Sequence, residues 1–377
     1  MQCQLIQKHF FMQVTAPSTQ RKSVTSHDVA QLAGVSQSAV SRSFTPGASV
    51  AEATRVKVMQ AAKRLGYLPN LHARTLITGR TRIVAVVLAH LDNLFYPRFL
   101  QLLSEQLQTE GMQVMLFIAE GQGNDDLLEH MLQYRVDAIV LAATSLSSSL
   151  GKACVQAGIP VVMFNRVSAQ SKDRSFHSVR TDQEEGARQI ALHLIAGGHQ
   201  RMAYVAGHLD TSTNQERENG FRSALAAQDL SLFAYGVGKY DAATAQAVVR
   251  TWYLDAQGQA RPLAQCPDAI FAADDQMALA IMDTLRGELG LLVPQQVSVA
   301  GFDDVPQASA LAYGLTSYAQ PLVAMVQELV QMLMAEIAQR KEAQASPSST
   351  AVARKNRGQA TLVPGQLKVR TSTRPVP

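Results

Sequence analysis

The chain has 377 residues, 47% of them hydrophobic and 17% charged, with a formal net charge of +4. That length holds two or three folded units, and that apolar share builds real cores, which excludes a largely disordered chain. No unbroken apolar run reaches the roughly 20 residues of a membrane span, and Cys3, Cys154 and Cys266 lie too far apart for a disulfide framework or a metal site, so a cytoplasmic setting is expected.

Taken from the start, Met1–Thr15 has no apolar stretch followed by a small-residue cleavage site, and residues 1–22 read as a flexible tail. Charge then concentrates. Between Arg21 and Arg82 ten basic residues stand against two acids, Asp28 and Glu52, a local charge of +8; the rest holds 24 bases against 28 acids, or −4. A positive module on an acidic body suits a polyanion-binding head, although a solvated basic surface gives the same count.

Residues 23–69 read as short helices. Ser26–Ala33 has apolar positions at helical spacing and breaks at Gly34. Ser36 caps a second helix, Gln37–Phe44, and Pro46-Gly47 follows it. A third, Glu52–Leu65, is predicted to bury the stripe Val56, Met59, Ala62 and Leu65 and to end at Gly66. Tyr67-Leu68-Pro69-Asn70 breaks the chain before a hinge segment and linker, residues 70–81.

Within 82–373 the pattern changes. Strand-length apolar runs at Ile83–Leu88, Val114–Ile118, Ala138–Leu141, Val161–Phe164, Met202–Val205, Ala269–Ala272 and Val297–Ala300 alternate with amphipathic stretches such as Phe99–Glu110, Glu184–Ile195 and Gln276–Arg286. That alternation predicts an α/β body of two doubly wound lobes, each a parallel sheet covered on both faces. Such sheets bind ligands outside the carboxyl ends of their strands, here in the cleft between lobes. Residues 341–360 read as a flexible excursion, and Leu362–Arg370 leaves room for one last strand.

The tight Ala33-Gly34-Val35-Ser36 turn suits a helix-turn-helix, with Val35 plugging the helix junction and the second helix free to enter a major groove. Gln37, Ser38 and Arg42 carry donors that reach base edges. An ordinary helical hairpin fits the same spacing. Catalytic motifs are missing: there is no G-x-S-x-G, no phosphate-binding G-x-x-x-x-G-K-[ST] and no His-x-x-x-His pair. Asp274-Asp275 is no metal pair by itself, since adjacent side chains point apart. No cofactor is expected.

Several longer stretches resemble the lactose/galactose repressor family. They are Ser26–Ser36, Ala39-Val40-Ser41-Arg42, Ala61–Asn70 and Ala73-Arg74-Thr75-Leu76 in the head and hinge. In the body they are Gln215-Glu216-Arg217 with Gly220-Phe221, Asp275-Gln276-Met277-Ala278, Gly301-Phe302-Asp303-Asp304, Leu315-Thr316 with Gln320-Pro321, and Pro364-Gly365. The similarity spans about residues 24–373. It departs from the common pattern at Ala39, Thr45 and Ala51, the last in place of a capping Ser.

The resemblance implies a transcription regulator: an all-α helix-turn-helix head plus a body like the periplasmic sugar-binding proteins, homodimeric on a near-palindromic double-stranded operator and controlled by a small-molecule effector. It implies base reading by Gln37, Ser38 and Arg42, backbone contacts by Thr25, Ser41, Tyr67 and Asn70, and a minor-groove wedge at Leu76. For the effector it implies Arg217, whose guanidinium offers a forked set of donors, with Asp303, Asp274, Asn165, Phe95, Tyr96 and Tyr240. Plainer roles stay open: core packing for Leu76 and Phe95, and a surface ion pair of Arg217 with Glu216 or Glu218. A solute-binding protein shares such a body but has no use for a +8 head, and a sugar-acting enzyme with a fused DNA module would need a nucleophile–base set.

Overall fold

The computed structural model describes residues 24–45, 47–68, 80–88, 91–119, 124–142, 147–165, 176–345 and 358–376. The expected tail and most of the expected hinge, including Asn70 and Leu76, lie outside them. The chain divides into two compact units, Met1–Gly79 and Arg80–Pro377.

The head begins at Thr25, whose hydroxyl accepts from Asp28 N–H while the Asp28 carboxylate accepts from Thr25 N–H, a reciprocal capping box that starts α1 (Ser26–Ala33). Gly34 ends it at φ 64°, a left-handed conformation that favours glycine. Ser36 Oγ then accepts from Ala39 N–H at 3.2 Å and opens α2 (Gln37–Ser43), one residue shorter than predicted. In α3 (Glu52–Leu65), Ala51 supplies no side-chain cap. The predicted apolar stripe of α3 holds at Ala62 and Leu65 but not at Val56 and Met59. Val56 and Met59 are 44% and 48% exposed, and the buried face is Val58, Ala61 and Ala62, packed with Val29, Ala30 and Val40. Leu65 and Val35 pack on that core half-buried.

The body contains two six-stranded sheets. The first has β1 (Ile83–Leu88), β2 (Gln113–Ile118), β3 (Ala138–Ala142), β4 (Val161–Phe164), β5 (His177–Thr181) and β11 (Ala360–Val363), in the order β11-β5-β4-β3-β1-β2 and parallel throughout. The second has β6 (Met202–Ala206), β7 (Ala234–Val237), β8 (Ala269–Ala272), β9 (Ser298–Asp303), β10 (Thr316–Ala319) and β12 (Gln366–Lys368). Its order is β12-β10-β9-β8-β6-β7, and only β12 runs antiparallel. Between the strands come α4 (Phe95–Thr109), α5 (Asn124–Gln133), α6 (Ser147–Gln156), α7 (Gln183–Ala196), α8 (Ser212–Ala226), α9 (Ala242–Tyr253), α10 (Asp275–Asp283) and α11 (Leu322–Ala345). The two doubly wound lobes are therefore as expected.

Two expectations at the chain's end need correction. Part of the predicted excursion, to Ala345, belongs to α11, and the single predicted last strand is two strands in different sheets. Pro364-Gly365 separates them, so the chain changes lobe there, as it does between β5 and α7 and between β10 and α11. Among the described residues α11 alone, over Leu322–Arg340, is long and apolar enough to cross a membrane. It buries Met325, Val326, Leu329 and Leu333 and packs on α4, β4 and β5, which is how a core helix uses such composition.

The central strands are buried on both faces: Val84 to Leu88 are each 0% exposed. Helices α7 and α8 pack closest where Gly220 meets Glu184, since a Cβ there would fall 2.1 Å from the Glu184 carbonyl oxygen. That close approach fixes the register of α8, and so the position of Arg217 on it.

Candidate nucleic-acid interface and ligand cleft

In the head, α2 leaves Gln37, Ser38, Ser41 and Arg42 exposed while Val40 and Ser43 are buried. Gln37 Nε2 donates to Ser26 Oγ at 2.8 Å, which ties the start of α2 to the start of α1. The Ser36 and Ser38 hydroxyls lie 2.9 Å apart. Two other predicted contacts turn out to have structural work. The Thr25 hydroxyl donates to the Asp28 carboxylate at 2.8 Å within the capping box, so a phosphate must compete with it. Tyr67 is half-buried, its ring 5.8 Å from that of Phe44. Arg55, counted in the basic charge, donates to the Ser43 and Ala48 carbonyls and braces the α2–α3 junction.

In the body, residues from the carboxyl ends of strands in both sheets converge. Arg217, on α8, is 2% exposed. Its Nε donates to Gln183 Oε1 at 2.7 Å, its Nη1 to the Ala273 carbonyl, and its Nη2 to Asp303 Oδ1 at 3.1 Å. Its guanidinium carbon lies 3.7 Å from the centre of the Phe302 ring. The partner of Arg217 is thus Asp303 and not Glu216 or Glu218; Glu216 instead pairs with Arg180 and Glu218 with Arg222. Asp303 ends β9 and also accepts from Gln320 Nε2 at 2.7 Å. Asn165, after β4, accepts from Gln183 Nε2 at 3.0 Å. Asp274, after β8, caps α10 through Met277 N–H at 2.9 Å and accepts from Asn93 Nδ2, after β1, at 3.0 Å.

Phe95, Tyr96, Asn165, Arg217, Tyr240 and Asp303 line a common waist of about 10 Å³. Asp274 faces it through Asn93, another lining residue. The backbone is forced here: Asn165, Tyr240, Asp303 and Asp304 have φ of 60°, 57°, 111° and 54°, a strain that recurs at ligand sites. Phe95 is also core, since its ring lies 6.4 Å from that of Phe164 in a stacked arrangement. Two larger cavities share lining residues with it: one of about 560 Å³ shares Phe95 and Asp303, and one of about 300 Å³ shares Asn93, Tyr96 and Tyr240.

Burial first, and the Asp303 charge second, push the Asp274 carboxyl up to about 7. A folded-state value above the ordinary one means the native protein holds that proton more tightly than the unfolded chain. Stability from this group therefore declines as pH rises through 7. Between pH 6 and pH 8 the body is expected to lose about 1 kcal/mol on this account. Asp275, also raised by burial, adds in the same direction. Urea titrations across that range check it: Asp274→Asn should flatten the slope, and an unchanged slope removes Asp274 as its source.

Residues 25–70 match the pattern of bacterial regulatory proteins of the lacI family, and residues 191–373 that of a periplasmic binding protein-like domain. The regulator CelR of Thermobifida fusca is 33% identical, over 84% of this chain and 93% of its own length. The chain belongs to the lacI family. The repressor PurR of Vibrio vulnificus is 30% identical over 79% of this chain and 87% of its own. Among solved structures, the Lac repressor dimer bound to operator and the anti-inducer ONPF matches with a TM-score of 0.78 and 26% identity, covering 93% of this chain and 99% of that one. A CelR–cellobiose complex matches with a TM-score of 0.64 and 28% identity over 93% and 99%.

As a lacI-family member the chain is a DNA-binding transcription regulator under effector control. Its cleft also contains groups that the sequence reading left out: Asn93, Gln183 and Gln320. Gln320 stands beside Pro321 in a stretch that resembles the family and Gln183 is the first residue of α7, but nothing in the sequence pairs them with Asp303 and Arg217.

Proposed function

We propose that this regulator is a homodimeric repressor that holds a near-palindromic operator and releases or tightens it when a sugar or related small metabolite binds between the lobes of the body. The observation that carries the reading is the pairing of two features in one chain. A basic head presents Gln37, Ser38 and Arg42 on one exposed helix, and a body gathers Arg217, Asp303, Asp274 and Asn165 at the carboxyl ends of its strands. The Lac repressor's capture as a dimer on operator, and CelR's with cellobiose, support the same assignment.

In this reading Gln37, Ser38 and Arg42 read base edges, while Ser41, Thr25, Tyr67 and Asn70 meet the sugar–phosphate backbone. Leu76 wedges into the minor groove at the operator centre. Residues 23–69 form the DNA-binding domain, 70–81 the hinge and 82–373 the effector and dimerisation domain. Effector and operator affinities are linked reciprocally, typically by about 1–3 kcal/mol. No catalytic step is assigned: the cleft carboxylates hold Arg217, Asn93 and backbone N–H groups. A cytoplasmic site of action accords with this role.

Selection of bound duplexes from genomic fragments by the full-length chain tests the reading. A preferred palindromic site is expected, with affinity falling by about three orders of magnitude between ~50 and ~200 mM salt if about six phosphates are met. Leu76→Ala should reduce bending of that site in gel phasing. Failure to prefer any duplex, at any salt, removes the proposal.

A further inference from the structure

We infer that Ser26 is a positioning residue for base reading: its hydrogen bond to the Gln37 amide fixes which polar edge Gln37 presents to the major groove, and so selects adenine over guanine at that base. The inference rests on the head being the DNA-reading module.

Gln37 is the first residue of α2 and is exposed, while Ser26 is the first residue of α1 and is half-buried. The bond between them, from Gln37 Nε2 to Ser26 Oγ at 2.8 Å, spans 11 residues and joins two helix starts. Both starts are held independently of it. The Thr25–Asp28 capping box sets α1, and Ser36 Oγ, accepting from Ala39 N–H at 3.2 Å, sets α2. Val29 and Ala30 of α1 pack with Val40 of α2 in the buried core of the head. Ser26 is thus anchored, and a side chain tied to an anchored partner on a rigid element keeps its orientation.

Orientation matters because a glutamine amide is two-sided. It has a carbonyl oxygen that accepts and an NH2 group that donates. An untethered side chain shows a base either edge and loses its rotational freedom on binding. With one Nε2–H committed to Ser26, what remains for a base is the other N–H beside the carbonyl oxygen. Adenine matches that pair, since its major-groove edge carries the N6 amine as donor and N7 as acceptor. Guanine offers O6 and N7, both acceptors, so the Gln37 oxygen would face O6 with no proton between them. The Ser38 hydroxyl next along the helix, 2.9 Å from Ser36 Oγ, suits donors and acceptors alike and supplies no such choice.

Ser26→Ala isolates the tether, because the cap belongs to Thr25 and Asp28 and alanine is well tolerated inside a helix. The test uses the full-length chain and a duplex library built on its selected site, with each half-site position randomised in turn. The position whose preference vanishes in Gln37→Ala is the one that Gln37 reads. There the parent is expected to favour adenine over guanine by about 10-fold. Ser26→Ala should lose most of that ratio while the other positions keep theirs, and Ser26→Thr, which retains a hydroxyl, should preserve it. Ser26→Ala added to Gln37→Ala should change nothing further, as two residues acting through one contact require. Equal weakening of every duplex by Ser26→Ala would make Ser26 a phosphate contact and overturn the inference while leaving the head a DNA reader. A guanine preference at the Gln37 position, an adenine preference that Ser26→Ala leaves intact, or a Gln37→Ala profile identical to the parent's overturns it in the same way. A parent that selects no site overturns the DNA-reading proposal and this inference with it.

Discussion

Arg217→Ala is expected to abolish the effector response and to destabilise the body by about 3–5 kcal/mol. The size follows from what is left behind. Arg217 is 2% and Asp303 8% exposed, and the pair sits 3.1 Å apart among Phe302, Gln183 and Gln320. Burial alone pulls the Arg217 pKa down, and the Asp303 charge, foremost among several, more than offsets it, so the guanidinium stays protonated. Truncation strands a buried carboxylate beside Asp274, whose own charge is already disfavoured by Asp303. The surrounding amides cannot substitute for a cation.

Loss of response by itself therefore does not distinguish an effector contact from a structural brace. Arg217→Met combined with Asp303→Leu removes both charges together, and replacing a buried pair by apolar side chains is often neutral for stability. The double variant is expected to recover most of the urea-unfolding free energy and operator affinity while remaining deaf to whichever sugar shifts the parent. A double variant that responds normally would clear both residues of ligand contact.

The parts of this molecule that could be read from sequence are those fixed by local chemistry. The start of α1 at Thr25 and its end at Gly34 follow from cap geometry within a few residues. Strands β1, β4 and β8 match their predicted limits because they are continuous apolar runs buried on both faces. Strands β5 and β10 escaped the same reading because they bury polar side chains. Ser178, Thr181, Thr316 and Ser317 are each at most 4% exposed, and the last two hydrogen-bond to Thr373 and Asp275. In α3 two stripes satisfy helical spacing, and the small Ala61 and Ala62 face the core while Val56 and Met59 do not. Tertiary context decides which.

The cleft divides in the same way. Arg217, Asp303 and Asn165 stand at recognisable motif positions or strand ends. Gln183 and Gln320 acquire meaning only when residues 34 and 17 positions away fold back on them, and Asn93 reaches across 181 residues to Asp274. Each is a neutral amide, the residue type with the least distinctive sequence signal and the greatest freedom to both donate and accept.

For the head, Arg42→Ala is expected to cost about 1–3 kcal/mol per half-site on the cognate operator and little on random duplex. Arg55 is engaged with the Ser43 and Ala48 carbonyls, so Arg55→Ala should lower the head's melting temperature and weaken every duplex alike. Arg42 is exposed near the end of α2, on the helix that also exposes Gln37 and Ser38. A guanidinium in that position gains from a guanine edge what it cannot gain from a phosphate alone: two fixed acceptors matching its fork. Because a dimer presents two heads, the loss is counted at both half-sites of a symmetric operator and once when one half-site is scrambled. Anisotropy titrations of the variant on the full operator, on a half-scrambled site and on random sequence separate the cases. Equal losses on all three would assign Arg42 to the phosphate backbone and leave base reading to Gln37 and Ser38.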